Sequence, residues 1–391
     1  MTANRIRIGM VGGGPGSGIA GVHRMGMRLD DRFMLVAGAF SRSLDKSRQT
    51  AAELGVDEER TYADYQQMAR EEASRDDGIE VVSIVTPNSS HYPVARAFLE
   101  QGIHVVCDKP MTGSLEEAEA LHALADSQGC FFALTHNYSA YAMVRHAVQL
   151  VRDGALGKLR IVMVEHASGW AADNVERDLD NKQAAWRLDP KQSGEASLVF
   201  DLGTHAHQLM RFVSGLEVEE VAAEMQTCVP GRRVFDDAHV QLRLSGGVRG
   251  SLWASMAATG HEHGLRIRVF GDKASLEWHQ MDPHYLSVNY PGGRRETLVQ
   301  GHSGMSDAQA RLTRVGLGHP EGFIESFANL YSDVAEVIGR YRKEGLNRYE
   351  DIPLPTTRDG LLGVKFVMAV SESHRQQGRW VTVDPYQEIP S

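Results

Sequence analysis

Short β-branched runs alternate with amphipathic stretches over roughly the first 136 residues of the chain. Residues 6–11, 34–40, 81–85, 104–106 and 131–134 carry the apolar character of buried strands. Residues 43–54, 93–101 and 115–127 carry helical spacing between them. Ser114 and Glu117 are placed as a capping box at the start of the last of these, while Gly55, Gly102 and Gly129 fall where helices should stop. Strands alternating with helices predict an α/β domain with a doubly wound parallel sheet, which binds ligands at the carboxyl ends of its strands.

The rhythm changes after that. Past a helix predicted at residues 142–152, strand-like runs follow at 159–165, 218–227, 238–244, 250–257, 265–270 and 274–278, with turns such as Ser245-Gly246-Gly247 between them. This predicts an α+β domain with a large, open, mainly antiparallel sheet, on one face of which helices at 322–344 and 358–376 should pack. The expected domains are therefore residues 1–136 and 137–391. Residues 167–192, polar and carrying Trp170 and Trp186, read as a long functional loop.

The chain has 391 residues and a formal net charge of −10, enough length for two cores and no basic run suited to nucleic acid or an anionic membrane. Its three cysteines, Cys107, Cys130 and Cys228, are too few and too widely spaced for a disulfide framework. Residues 1–8 alternate polar and apolar positions instead of forming an apolar signal core, and no run reaches the length of a membrane span. The expected address is the cytoplasm.

The first strand runs directly into Gly12-Gly13-Gly14-Pro15-Gly16-Ser17-Gly18-Ile19-Ala20. Glycines there permit a tight turn and close approach of backbone N–H groups to a pyrophosphate at a helix N-terminus. Gly12, Gly14 and Gly16 are the expected cofactor contacts, although the third small residue of the usual spacing is displaced to Ala20. The second strand ends in Phe40-Ser41-Arg42-Ser43, without the acidic residue that accepts from a ribose 2′-hydroxyl. Ser41 and Arg42 suit a 2′-phosphate, so the expected cofactor is NAD(P), leaning to NADP; NAD stays open through Asp45.

Three further motifs complete the picture: Thr86-Pro87-Asn88 with His91, Asp108-Lys109-Pro110, and Asp201-Leu202-Gly203-Thr204-His205. Asp-x-x-x-His on a helix would put a carboxylate and an imidazole at i and i+4 on one face, a pairing suited to proton transfer. With the glycine loop, these motifs resemble the Gfo/Idh/MocA oxidoreductases over nearly the whole chain, with Asp-Lys-Pro replacing the commoner Glu-Lys-Pro and Gln208 where an acidic residue is frequent.

The resemblance implies that Lys109, Asp201 and His205 are the catalytic set, and that Thr86, Pro87, Asn88, His91, Asp108 and Lys109 line the cofactor. It further implies a cis Lys109–Pro110 bond. Asn137, Tyr138, Trp186, Arg187 and His319 are the expected substrate contacts. A secondary hydroxyl losing hydride must also lose a proton, for which His205 is a suitable base and Lys109 a suitable stabiliser of the developing alkoxide. The resemblance also implies a sugar or polyol substrate and a homodimer or homotetramer. Two alternatives to a dehydrogenase stay open: a glycoside hydrolase working by transient oxidation, elimination and re-reduction, and a non-catalytic nucleotide sensor. The pairs His205/His207 and His261/His263 do not suggest a metal site, since alternate residues of a helix point apart and no third ligand is evident.

Overall fold

The computed structural model describes residues 5–178, 181–194, 196–345 and 351–385. Among the described residues two compact units emerge: one runs to Asn137 and regains Phe323–Leu361, the other comprises Tyr138–Gly322 and the described residues from Leu362. The first boundary falls one residue after the position expected from sequence, and the return of residues 323–361 to the first unit was not expected.

The first unit begins β1 (Ile6–Gly12), α1 (Gly18–Leu29), β2 (Phe33–Ala39), α2 (Leu44–Leu54) and α3 (Tyr65–Ala73). It continues β3 (Val81–Val85), α4 (His91–Leu99), β4 (His104–Cys107), α5 (Leu115–Ser127) and β5 (Phe132–Leu134). The strands form a parallel sheet in the order β2-β1-β3-β4-β5, as a doubly wound fold requires. β3 and β4 are buried along their whole length, which is why they read as unbroken apolar runs. Gly55, Gly102 and Gly129 all take positive φ after their helices. Ser114 caps α5 by accepting from the Glu117 N–H at 3.3 Å. The alternation did not reveal α3, which buries only Met68, Ala69 and Glu72 and takes its N-cap from Asp64.

The second unit contains α6 (Ala142–Arg152), β6 (Leu159–Ala167), α7 (Lys182–Arg187), α8 (Pro190–Ser193), α9 (Thr204–Ser214), β7 (Val218–Gln226), β8 (Asp237–Leu244), β9 (Val248–Ser255), β10 (Gly264–Gly271), β11 (Ser275–His279), β12 (Tyr285–Asn289), β13 (Arg295–Val299) and α10 (Asp307–Ala310). The expected loop at 167–192 thus contains helical turns; its residues 179 and 180 lie outside the described ones. Nine strands form one sheet, ordered β13-β12-β11-β10-β6-β9-β8-β7-β14, where β14 is Val381–Thr382. All neighbours are antiparallel except β6 and β9, whose chain directions coincide after the long excursion through α9, β7 and β8. β12 and β13 escaped the sequence pattern because YLSVN and RETLV are short and half polar.

Two long helices follow, α11 (Phe323–Glu344) and α12 (Thr357–Arg375). Sequence periodicity placed both on the antiparallel sheet. α12 does pack there: Phe366, Val367 and Val370 join Val162, Leu252 and Ile267 of the strands and Leu209 and Met210 of α9 in one core. α11 instead belongs to the first unit. A Cβ on Gly26 of α1 would come within 2.8 Å of Phe327 Cβ, so the missing side chain lets the two helices touch. Tyr331 then reaches His23 Nδ1 at 2.8 Å and Ser83 Oγ at 3.0 Å, a fully buried polar link that apolar periodicity cannot reveal. Among the described residues no helix is long and apolar enough to cross a membrane.

Candidate active site

In the first unit the glycine turn is shaped by close contacts to backbone. Gly12, Gly13 and Gly16 take φ of 90°, 86° and 85°, a region L side chains disfavour. A Cβ on Gly14 would lie 2.8 Å from the Phe40 carbonyl, which also accepts the Gly14 N–H at 3.0 Å. A Cβ on Gly13 would lie 2.8 Å from that of the fully buried Ala20, the displaced small residue of the motif. Beyond the turn, Gly18 opens α1 with nothing within 4 Å of its would-be side chain, and the first turn of the helix carries no acidic residue. Open backbone at a helix N-terminus free of negative charge fits a dinucleotide pyrophosphate. Thr86 points the same way: its buried hydroxyl oxygen has no hydrogen-bond partner among the described residues. Pro87 and Asn88 form a tight turn with it, closed by Ser90 N–H to Pro87 O at 2.9 Å. Arg42 is exposed, and Ser41 Oγ accepts the Ser43 N–H at 3.2 Å.

His91 and Asp108, expected to line the cofactor, also make hydrogen bonds within the protein. The His91 ring is 1% exposed and lies between two carbonyl oxygens, Pro110 O at 2.7 Å from Nδ1 and Thr86 O at 2.9 Å from Nε2. It ties the turn after β3 to the turn after β4. Asp108 accepts the Lys109 N–H at 2.8 Å and the Thr135 hydroxyl at 2.9 Å on the same oxygen, so it joins the ends of β4 and β5. Lys109 is half-buried, and its bond to Pro110 is cis. Burial pushes the Cys107 thiol well above its usual range, which leaves it a packing residue. Asn137, expected at the substrate, donates from Nδ2 to Ser326 Oγ at 3.0 Å and ties the end of β5 to α11. Each of these polar groups has its partner far away in the chain or on the main chain, which motif reading could not anticipate.

The second unit holds Asp201 and His205 on a segment that is not a regular α-helix. Residues Val199–Gly203 form a π turn and the α-helical ladder starts only at Thr204. The expected i, i+4 pairing on one α-helical face is therefore corrected: the wider turn spaces the two residues differently. Two local features accompany it. Thr204 donates its hydroxyl back to Phe200 O at 2.7 Å, and Gly203 has no Cβ where one would lie 2.8 Å from Val199 Cγ1. Such π turns recur at functional sites.

Asp201 accepts from Arg187 Nε at 3.1 Å, and the Arg187 guanidinium lies 4.2 Å from the Trp186 ring centroid. Ser193 and Ser197 donate to the Arg187 carbonyl at 2.8 and 2.9 Å. Of Trp186 and Arg187, both expected to bind substrate, Arg187 thus bonds Asp201 while its guanidinium stacks on the Trp186 ring. His319 lies on an exposed turn with Nδ1 3.1 Å from Gly316 O.

Around His205 stand Tyr138, one of the expected substrate contacts, and histidines the motifs did not name. The Tyr138 ring meets the His205 ring edge-on, centroids 4.7 Å apart, and the Tyr138 hydroxyl is hydrogen-bonded to His263 Nε2. His166, at the end of β6, places Nε2 3.1 Å from that same nitrogen. The only signal for His263 was its place in a His-x-His pair, and His166 had none. His207 leaves the group and stacks on Phe366 at 4.4 Å. Among the described residues no group of three or more His, Cys, Asp or Glu is arranged to hold a metal ion.

Known proteins resemble this chain over most of its length. Residues 6–136 match the oxidoreductase family described as having an NAD-binding Rossmann fold, and residues 144–277 match the GFO/IDH/MocA C-terminal domain. The oxidoreductase YfiI of Bacillus subtilis (strain 168) is 34% identical over 379 residues, 96% of each chain. An oxidoreductase from Sinorhizobium meliloti is 42% identical, with a TM-score of 0.87 over 97% of this chain and 100% of its own. An inositol dehydrogenase homolog from Azotobacter vinelandii complexed with NAD+ is 35% identical, with a TM-score of 0.92 over 97% and 98%. The same homolog complexed with NADH and myo-inositol is 33% identical, with a TM-score of 0.89 over the same shares. With a glycine turn built for a dinucleotide, a lysine after β4, and an Asp–His segment distorted into a π turn, the chain belongs to the GFO/IDH/MocA family of oxidoreductases.

Proposed function

We propose that this protein is an NAD(P)-dependent dehydrogenase acting on a secondary hydroxyl of an inositol, a sugar or a sugar derivative. The observation that carries the reading is the acid–base segment: Asp201, held by Arg187, and His205, walled by Tyr138 and His166. It is supported by the A. vinelandii homolog, complexed with NADH and myo-inositol.

A bound nicotinamide supplies the hydride acceptor or donor; the chain supplies the rest. Gly12, Gly14 and Gly16 with the first turn of α1 hold the pyrophosphate, while Thr86 and Asn88 line the same end of the sheet. His205 takes the hydroxyl proton as hydride leaves the carbon. Lys109 donates a hydrogen bond to the same oxygen and stabilises the alkoxide charge that develops there. Asp201, oriented by Arg187, fixes the substrate. Ser41 and Arg42 receive the 2′-phosphate of NADP in preference to the free hydroxyl of NAD. A homodimer or homotetramer is the expected assembly.

The test follows absorbance at 340 nm with NAD or NADP against inositols, free sugars and aryl glycosides, with aglycone release read in parallel. Net cofactor reduction with a polyol or sugar supports the proposal. Aglycone release without reduced cofactor accumulating would replace it by the redox-cycling hydrolase, and tight nucleotide binding without turnover by the sensor. Arg42→Ala should raise the KM for NADP about tenfold and leave that for NAD unchanged.

A further inference from the structure

His205 belongs to a closed circuit of side chains that no motif joins. His166 Nδ1 lies 3.1 Å from the Leu202 carbonyl, which can only accept, so His166 carries a proton on Nδ1. His166 Nε2 lies 3.1 Å from His263 Nε2, and that nitrogen also bonds the Tyr138 hydroxyl. The Tyr138 ring then packs edge-on against the His205 ring, 4.7 Å between centroids and 78° between planes. Leu202 sits inside the π turn, next to Asp201 and three residues before His205. The circuit therefore starts and ends on the segment that bears both catalytic candidates.

Tyr138 is 4% exposed and His166 not at all. Buried groups of this kind are locked by their hydrogen bonds, and a π turn needs partners for carbonyls that a regular ladder would satisfy. The Tyr138 hydroxyl is spent inside the protein, which argues against its direct use on substrate.

We propose that Tyr138, His263 and His166 are positioning residues: through the Leu202 carbonyl and the Tyr138 ring they hold the π turn and the His205 imidazole in one orientation. The inference rests on the dehydrogenase reading only in assigning His205 the proton-handling role. A displacement of about 1 Å in such a group costs up to about a hundredfold in rate. Tyr138→Phe keeps the ring and removes the hydroxyl, His263→Ala removes its partner, and His263→Gln restores a hydrogen-bonding side chain.

Steady-state kinetics should show kcat about tenfold to a hundredfold lower in Tyr138→Phe and in His263→Ala, KM within about threefold, partial rescue in His263→Gln, and no further loss in the double variant. Unchanged kcat, a loss confined to KM, or fully additive losses would overturn the proposal. Side-chain 15N spectra of histidine-labelled protein provide a readout independent of turnover. They should find the His166 proton on Nδ1 and the His205 resonances shifted in Tyr138→Phe; a His166 proton on Nε2 alone, or an unmoved His205, would sink the circuit. A wild type that turns over no polyol or sugar would count against the dehydrogenase reading, while these spectra would still decide the positioning role.

Discussion

At the scale of single residues, Lys109 and His205 divide the proposed chemistry and can be separated. Lys109→Met keeps the apolar stem but removes the donor to the developing alkoxide, and should lower kcat about 10²- to 10³-fold. His205→Asn removes the base and should lower kcat about 10²- to 10⁴-fold, with the loss shrinking at high pH, where hydroxide replaces the missing group. In the proposed mechanism Arg187 acts through Asp201. Its Nε donates to the carboxylate at 3.1 Å, and both side chains are largely buried. Arg187→Ala should cost about tenfold in kcat/KM, and Arg187→Lys should fail to restore it because an ammonium lacks the planar fork seated on Trp186. Steady-state kinetics at saturating cofactor checks all four variants. The residue types were legible in the sequence. What each polar atom touches was not: His91 clamps two carbonyls and Asn137 reaches Ser326, 189 positions away.

At the scale of elements, the strand-turn-helix that opens the first unit makes a sharp contrast between two of its glycines. Gly14 has the Phe40 carbonyl where a Cβ would stand, whereas Gly18 has open space. Gly14→Ala should lower the melting temperature by several degrees, since the clash is with backbone that cannot yield without shifting β2. Gly18→Ala should leave the melting temperature unchanged or slightly raised, so any loss of nucleotide affinity in it reports crowding of the ligand and not of the protein. Thermal unfolding and nucleotide titration on both variants decide this. The Asp201–His205 element carries a related lesson. Its spacing reads as an ordinary helix, because nothing in a list of residues distinguishes an i, i+4 pair on an α-helix from one that straddles a π turn. Only Gly203 and the Thr204 back-bond, seen together in the fold, mark the difference.

At the scale of the molecule, two buried histidines of the first unit, His23 and His104, set a limit on acid stability. Burial lowers His23 to about 4, the nearby Asp108 opposing, and lowers His104 to about 4, with Glu80 opposing. Both folded values lie below the unfolded one, so the unfolded chain binds the extra protons. Stability is therefore full above about pH 6.5 and is lost as the pH falls toward 4, by on the order of 3 kcal/mol for each histidine. Thermal unfolding from pH 7.5 to 4.5 should reveal a steep fall beginning near 6.5, relieved in part by His104→Phe, which suits the apolar ring neighbours Phe131 and Tyr341. A melting temperature flat over that range would contradict this assignment.

The sequence by itself determined the alternation of parallel strands and helices, the switch to an antiparallel sheet and the glycine turn. Those are properties of local periodicity, of backbone freedom at glycine and of residue type, all written within a few positions of one another. The tertiary structure alone decided that α11 belongs to the first unit, that β6 and β9 run parallel, and that His166, His263 and Tyr138 meet on the segment of His205. Each of those depends on hydrogen bonds and packing between residues tens to hundreds of positions apart, and a buried polar group declares its role only when its partner is in place.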